Sequence, residues 1–81
     1  MDKYIESIIK ILNEVNKYED IEANTDLMEA GLLNSLNLLY LITELEDRYE
    51  LTIPESEVKP ENFSSVKQIA ILVDELVKKG K

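Results

Sequence analysis

Apolar residues recur at intervals of three and four in three separate stretches of this chain, and no stretch alternates apolar with polar as a half-buried strand does. In the first, from Asp2 to about Asn16, the stripe is Ile5, Ile8, Ile9, Leu12 and Val15. In the second, from Ser35 to Tyr49, it is Leu38, Leu41, Ile42, Leu45 and Tyr49, with Asn37, Glu44, Asp47 and Arg48 mainly elsewhere on the wheel. In the third, Ser65 and Gln68 have capping-box spacing, Val66, Ile69, Ala70, Val73, Leu76 and Val77 form the stripe, and Lys78 and Lys79 complement the negative helix end. Pro54 and Pro60 bracket Glu55 to Lys59, which leaves room for about one helical turn and predicts a short additional helix.

These elements predict an all-α fold, a small four-helix bundle of three main helices plus one short helix. Residues 17–34 lose the helical period and collect Asn24, Thr25, Asp26 and Gly31, so they read as a long loop between helices one and two. A loop of that length in a compact domain needs anchors, and Ile21, Leu27, Leu32 and Leu33 are expected to pin it to the core. Asp20, Glu22 and Asn24 have the first three spacings of a calcium loop, but Thr25 stands where its glycine belongs and Gly31 where its glutamate belongs, which rejects that motif.

With 81 residues the chain buries only about 60–65% of its unfolded surface, enough for a single domain over residues 1–81 and too little for a deep walled active site. The sequence contains neither Cys nor His, which removes disulfides, thiolate metal sites, Cys nucleophiles and the commonest general base. A carboxylate-based hydrolase has only the abundance of acids behind it, and catalytic residues are expected to be absent. No signal peptide or membrane-length apolar run is evident, so a cytoplasmic protein not embedded in a membrane is expected.

The net charge of −8 argues against a nucleic-acid partner. Nine acids and one base, Arg48, lie between Glu19 and Glu50, so this stretch matches the whole imbalance. Such a belt would steer basic protein surfaces, although charged helix faces also serve only to keep a protein in solution.

Ser35 follows Gly31-Leu32-Leu33-Asn34 and opens the second helical stripe, so its hydroxyl is expected at an exposed helix N-terminus. A phosphate attached there would be stabilised by roughly 0.3–1 kcal/mol by the helix dipole and unpaired N–H groups. Asn and Ser are also the residues that cap helices, so the dipeptide alone would be read as a cap. Leu36, Leu39 and Tyr40 fit the second stripe poorly and form either a partner surface or a covered edge of the core.

Taken together, Thr25-Asp26-Leu27, Gly31-Leu32-Leu33-Asn34-Ser35-Leu36, Leu45-Glu46-Asp47-Arg48-Tyr49, Ile53-Pro54 and Phe63-Ser64-Ser65-Val66 resemble the acyl and peptidyl carrier protein family over nearly the entire chain. The resemblance implies that Ser35 receives phosphopantetheine from coenzyme A, whose terminal thiol holds acyl or aminoacyl groups as thioesters and shuttles them between partner enzymes. Those partners would be a phosphopantetheinyl transferase and an adenylating ligase, acyltransferase or synthase, meeting a monomeric carrier through Leu36, Leu39, Tyr40, Thr43, Glu46 and Asp47. Asn34 stands where the family normally has Asp, a residue that helps the transferase and its magnesium ion engage the carrier. Asn keeps the cap geometry without the charge, which makes an unmodified acidic adaptor with a carrier-like fold the alternative. Fatty-acid carriers usually place an acid where Tyr40 stands, and the Leu-Leu before Asn34 and the Pro60-Glu61-Asn62-Phe63 run look more like stand-alone D-alanyl or aminoacyl carriers.

Overall fold

The computed structural model describes residues 2–17 and 19–80 and contains three α-helices: α1 (Asp2–Val15), α2 (Ser35–Tyr49) and α3 (Val66–Lys79). α1 packs against both other helices. It runs antiparallel to α2, since Tyr4 near its start meets Tyr49 at the end of α2 and Glu14 near its end meets Tyr40 near the start of α2.

The core face of α1 is rotated from the stripe read in the sequence. Tyr4, Ile8, Ile11 and Leu12 are buried, Ile5 and Ile9 lie at the margin, and Val15 is exposed. The rotation follows from Tyr4, whose ring packs edge-to-face on Tyr49 with centroids 5.2 Å apart, an arrangement that aromatic quadrupoles favour. Leu41 and Leu45 from α2 and Val66, Ile69, Ala70, Leu72 and Val73 from α3 complete the helical core. Ser65 caps α3 as expected, its Oγ accepting the Gln68 N–H at 3.2 Å.

The short helix expected between Pro54 and Pro60 is a single 3-10 turn, Glu55–Glu57, and a second 3-10 turn, Pro60–Asn62, follows it. Pro60 keeps the two apart: it forces Lys59 out of helical geometry into an extended conformation (φ −140°, ψ 154°). The Asn62 side-chain amide donates to the Glu57 carbonyl at 2.8 Å and ties the turns together. Among the described residues the bundle is built from three α-helices and these short 3-10 turns, with Phe63 emerging fully buried behind the second turn.

Ile21, Leu27, Leu32 and Leu33 are all buried, so the long connection is pinned as its apolar residues required. Backbone bonds fasten it further: Leu27 N–H donates to Ser64 C=O at 2.9 Å, and Lys67 N–H donates to Ala23 C=O at 3.0 Å. Gly31 adopts φ 73°, a left-handed turn that glycine takes without a Cβ penalty and that returns the chain into the core at Leu32. Two asparagine amides, Asn16 at 2.9 Å and Asn37 at 3.2 Å, converge on the Leu32 carbonyl and fix the point from which α2 departs. Among the described residues no helix is long and apolar enough to cross a membrane.

Candidate functional site

The chain leaves the core at Leu33 and surfaces at Asn34, which is extended (φ −103°, ψ −176°) and serves as the N-cap of α2. Its Oδ1 accepts the Asn37 N–H at 2.9 Å and its carbonyl accepts the Leu38 N–H at 2.8 Å. Ser35 is thus the first helical residue, is exposed, and has no side-chain hydrogen bond among the described residues. The N–H groups of Ser35 and Leu36 are the two in the first turn that the cap leaves unpaired. An accessible hydroxyl beside unpaired donors, at the positive end of a helix, suits a phosphodiester.

Four residues of the expected partner face lie together beyond Ser35. Leu36 is 78% exposed, Leu39 63% and Tyr40 37%, and the exposed Thr43 continues the same side of the helix. Asp47 extends that side by one more turn. Leu41 and Leu45 occupy the opposite side and are wholly buried, which settles Leu36 and Leu39 as surface rather than core edge.

Glu46 differs from its neighbours. It is half-buried, and its Oε2 accepts the Ile53 N–H at 2.9 Å, while its carbonyl accepts the Glu50 and Leu51 N–H groups that end α2. Its carboxylate therefore braces the 50–53 turn. Two further acids of the belt read in the sequence have side-chain partners: Glu44 pairs with Arg48 at 3.3 Å, and Asp26 Oδ1 accepts the Glu29 N–H at 3.0 Å, while Glu19, Asp20, Glu22, Glu29, Asp47 and Glu50 are exposed.

Glu14 was not singled out by the sequence. The Tyr40 hydroxyl donates to its Oε1 at 2.8 Å, and Arg48 approaches its other oxygen at 4.0 Å. That hydrogen bond, with lesser contributions from desolvation and from the charges of Glu14 and Glu44, holds the Tyr40 phenol above its ordinary pKa, against the opposing pull of Arg48. The pair is 26 positions apart, so no local spacing signals it.

A shallow apolar depression of about 110 Å³ lies one turn along α2 from Ser35, lined by Met28, Leu38, Val58, Lys59, Pro60 and Phe63. The larger open cleft, about 460 Å³, lies at the far end of α2 around Tyr49, Thr52 and Val77, roughly 20 Å from Ser35 at the helical rise per residue. Among the described residues no group of carboxylates could hold a metal ion.

Residues 6–73 match a family described as "Phosphopantetheine attachment site". The D-alanyl carrier protein of Streptococcus suis is 36% identical over 89% of this chain and 92% of its own length. A chain in a structure described as "Crystal structure of FAD-dependent dehydrogenase" superimposes with a TM-score of 0.74 at 35% identity, covering 82% of this chain and 96% of that one. A structure of Bradyrhizobium japonicum glycine:[carrier protein] ligase complexed with glycylated carrier protein gives a TM-score of 0.76 at 26% identity, covering 85% of this chain and 96% of that one.

Proposed function

Because the chain belongs to the family of phosphopantetheine-bearing carrier proteins, we propose that Ser35 is the residue that bears the group. The protein is an acyl or aminoacyl carrier, and its covalently attached phosphopantetheine supplies the thiol on which cargo is held as a thioester. The observation that carries the Ser35 assignment is the division of labour at the start of α2. Asn34 does the capping, and the exposed Ser35 hydroxyl is left without an intramolecular partner. The family match favours this reading over an unmodified adaptor.

The chain itself anchors and presents, and the chemistry belongs to the prosthetic group and to partner enzymes. Leu33 and the Leu32 carbonyl clamp fix the backbone immediately before Ser35, so the arm pivots from a rigid base. Leu36, Leu39, Tyr40 and Thr43, with Asp47, form the face that a transferase or ligase meets, and Glu46 supports that face from within. The cargo is a D-alanyl or other aminoacyl group loaded by an amino-acid ligase, a reading supported by the names of the similar proteins. The carrier works as a single 1–81 domain, as a monomer in the cytoplasm, without catalytic residues of its own.

Incubation of the purified, unmodified chain with coenzyme A, magnesium and a broad-specificity phosphopantetheinyl transferase tests the assignment. Intact mass should rise by one phosphopantetheine in the wild type and not in Ser35→Ala. Equal gain in both would refute it.

A further inference from the structure

From Ala30 through Thr43, between Glu29 and Glu44, the chain carries no charged side chain, although charged residues make up 32% of the whole. Ser35 and the exposed residues of α2 as far as Thr43 fall inside this stretch. The polar groups here are turned back onto the chain itself: Asn34 onto Asn37 N–H, Asn37 onto Leu32 C=O, and the Thr43 hydroxyl onto Leu39 C=O at 2.9 Å. The apolar side chains that the first two turns of α2 present to solvent are those of Leu36 and Leu39 and the half-exposed ring of Tyr40.

Tyr40 is held differently from the leucines. Its hydroxyl reaches across to α1 and donates to Glu14, and the same carboxylate lies within 4.0 Å of Arg48, itself bonded to Glu44. This chain of contacts engages the acid of α1 closest to the face, which stays 41% exposed, and favours one of the staggered χ1 rotamers open to Tyr40.

We infer that Glu14 is a positioning residue for docking of the phosphopantetheinyl transferase: it fixes the Tyr40 ring beside Leu36 and Leu39, so that the first two turns of α2, which carry no charged side chain of their own, offer an apolar contact to a pocket on that enzyme. The inference rests on the proposed attachment at Ser35 and specifies what the enzyme acting there must carry. The matching surface has a pocket for Leu36 and Leu39 and needs no basic side chain opposite the first two turns of α2. Charges further along, Asp47 included, act at longer range and set the encounter rate more than the affinity.

The test uses the transferase reaction on the purified unmodified chain, with KM for the carrier and kcat measured separately and folding checked by circular dichroism. Leu36→Asp should raise KM by about tenfold or more with kcat little changed, because it removes an anchor at the contact and not the nucleophile. Tyr40→Phe and Glu14→Ala should each raise KM by about threefold, the double variant no more than either alone, since both break one link. Glu14→Gln, which retains an acceptor for the hydroxyl, should recover most of that loss. KM should change by less than about threefold between about 25 and 250 mM sodium chloride, a range over which screening weakens exposed charge contacts.

Glu14→Gln as damaging as Glu14→Ala would show that Glu14 acts through charge, and a KM rising more than about tenfold with salt would show an electrostatic contact; either overturns the inference while leaving Ser35 modified. A dimer in sedimentation that Leu36→Asp dissolves would mean that the face is covered by a second copy, which also overturns it. Absence of any mass gain in the wild type removes the attachment reading and this inference together.

Discussion

The Asn34 side chain accepts the Asn37 backbone N–H at 2.9 Å, and by filling the cap of α2 it frees the neighbouring Ser35 hydroxyl. The residue that caps the helix and the residue proposed to carry the group are adjacent, and only Asn34 is occupied by the cap. Replacing Asn34 by Ala should destabilise the fold by about 0.5–2 kcal/mol in urea titration, the usual cost of losing such a cap. Asn34→Asp keeps the acceptor, adds a negative charge at the positive helix end worth about 0.3–1 kcal/mol, and should speed transfer of phosphopantetheine to Ser35. A slower transfer with Asp would show that charge at position 34 does not help the transferase on this carrier.

Glu46 predicts a different outcome from its exposed neighbour Asp47. Glu46→Ala removes the acceptor of the Ile53 N–H and should cost about 1–3 kcal/mol of stability, with faster hydrogen exchange at the Ile53 amide. Asp47→Asn, at an exposed site, should fall within about 0.5 kcal/mol of the wild type.

Glu50 ends α2 at φ 51°, a left-handed conformation that a residue with a Cβ adopts at a cost. Glu50→Gly should therefore stabilise the protein by about 0.5–1 kcal/mol, measured as a higher urea midpoint at unchanged m value. A lower midpoint would contradict the strain argument.

The Tyr40–Glu14 bond sets a pH dependence. The folded-state pKa of Tyr40 is raised, so the protonated phenol is favoured by folding, and the stabilisation is fully present below the unfolded pKa of about 10 and is lost as pH climbs through the folded value. Ring resonances of Tyr40 should titrate at higher pH in the wild type than in Glu14→Ala. Coincident titration curves would show that the link does not form in solution.

Helical spacing gave α2 and α3 closely, because their apolar stripes are regular and Asn34 and Ser65 cap them in the ordinary way. The pinned loop was legible because Ile21, Leu27, Leu32 and Leu33 had nowhere else to be buried. The stripe of α1 was legible in part: Ile8 and Leu12 are buried and Ile5 and Ile9 border the core, whereas the burial of Tyr4 is set by a partner far along the chain, Tyr49. The helical turn expected between the two prolines is present as Glu55–Glu57 and stops before Lys59, where the restriction ahead of Pro60 holds the backbone extended. At the site, Ser35 and the exposed Leu36 and Leu39 could be read from the helix start, whereas the Glu14 link and the Glu46 brace depend on tertiary contacts that no local pattern encodes.

The most direct test of the central claim is to locate the phosphopantetheine by fragmentation mass spectrometry of the modified protein. The account predicts the whole added mass on Ser35. Its appearance on Ser7, Ser56, Ser64 or Ser65 would contradict it.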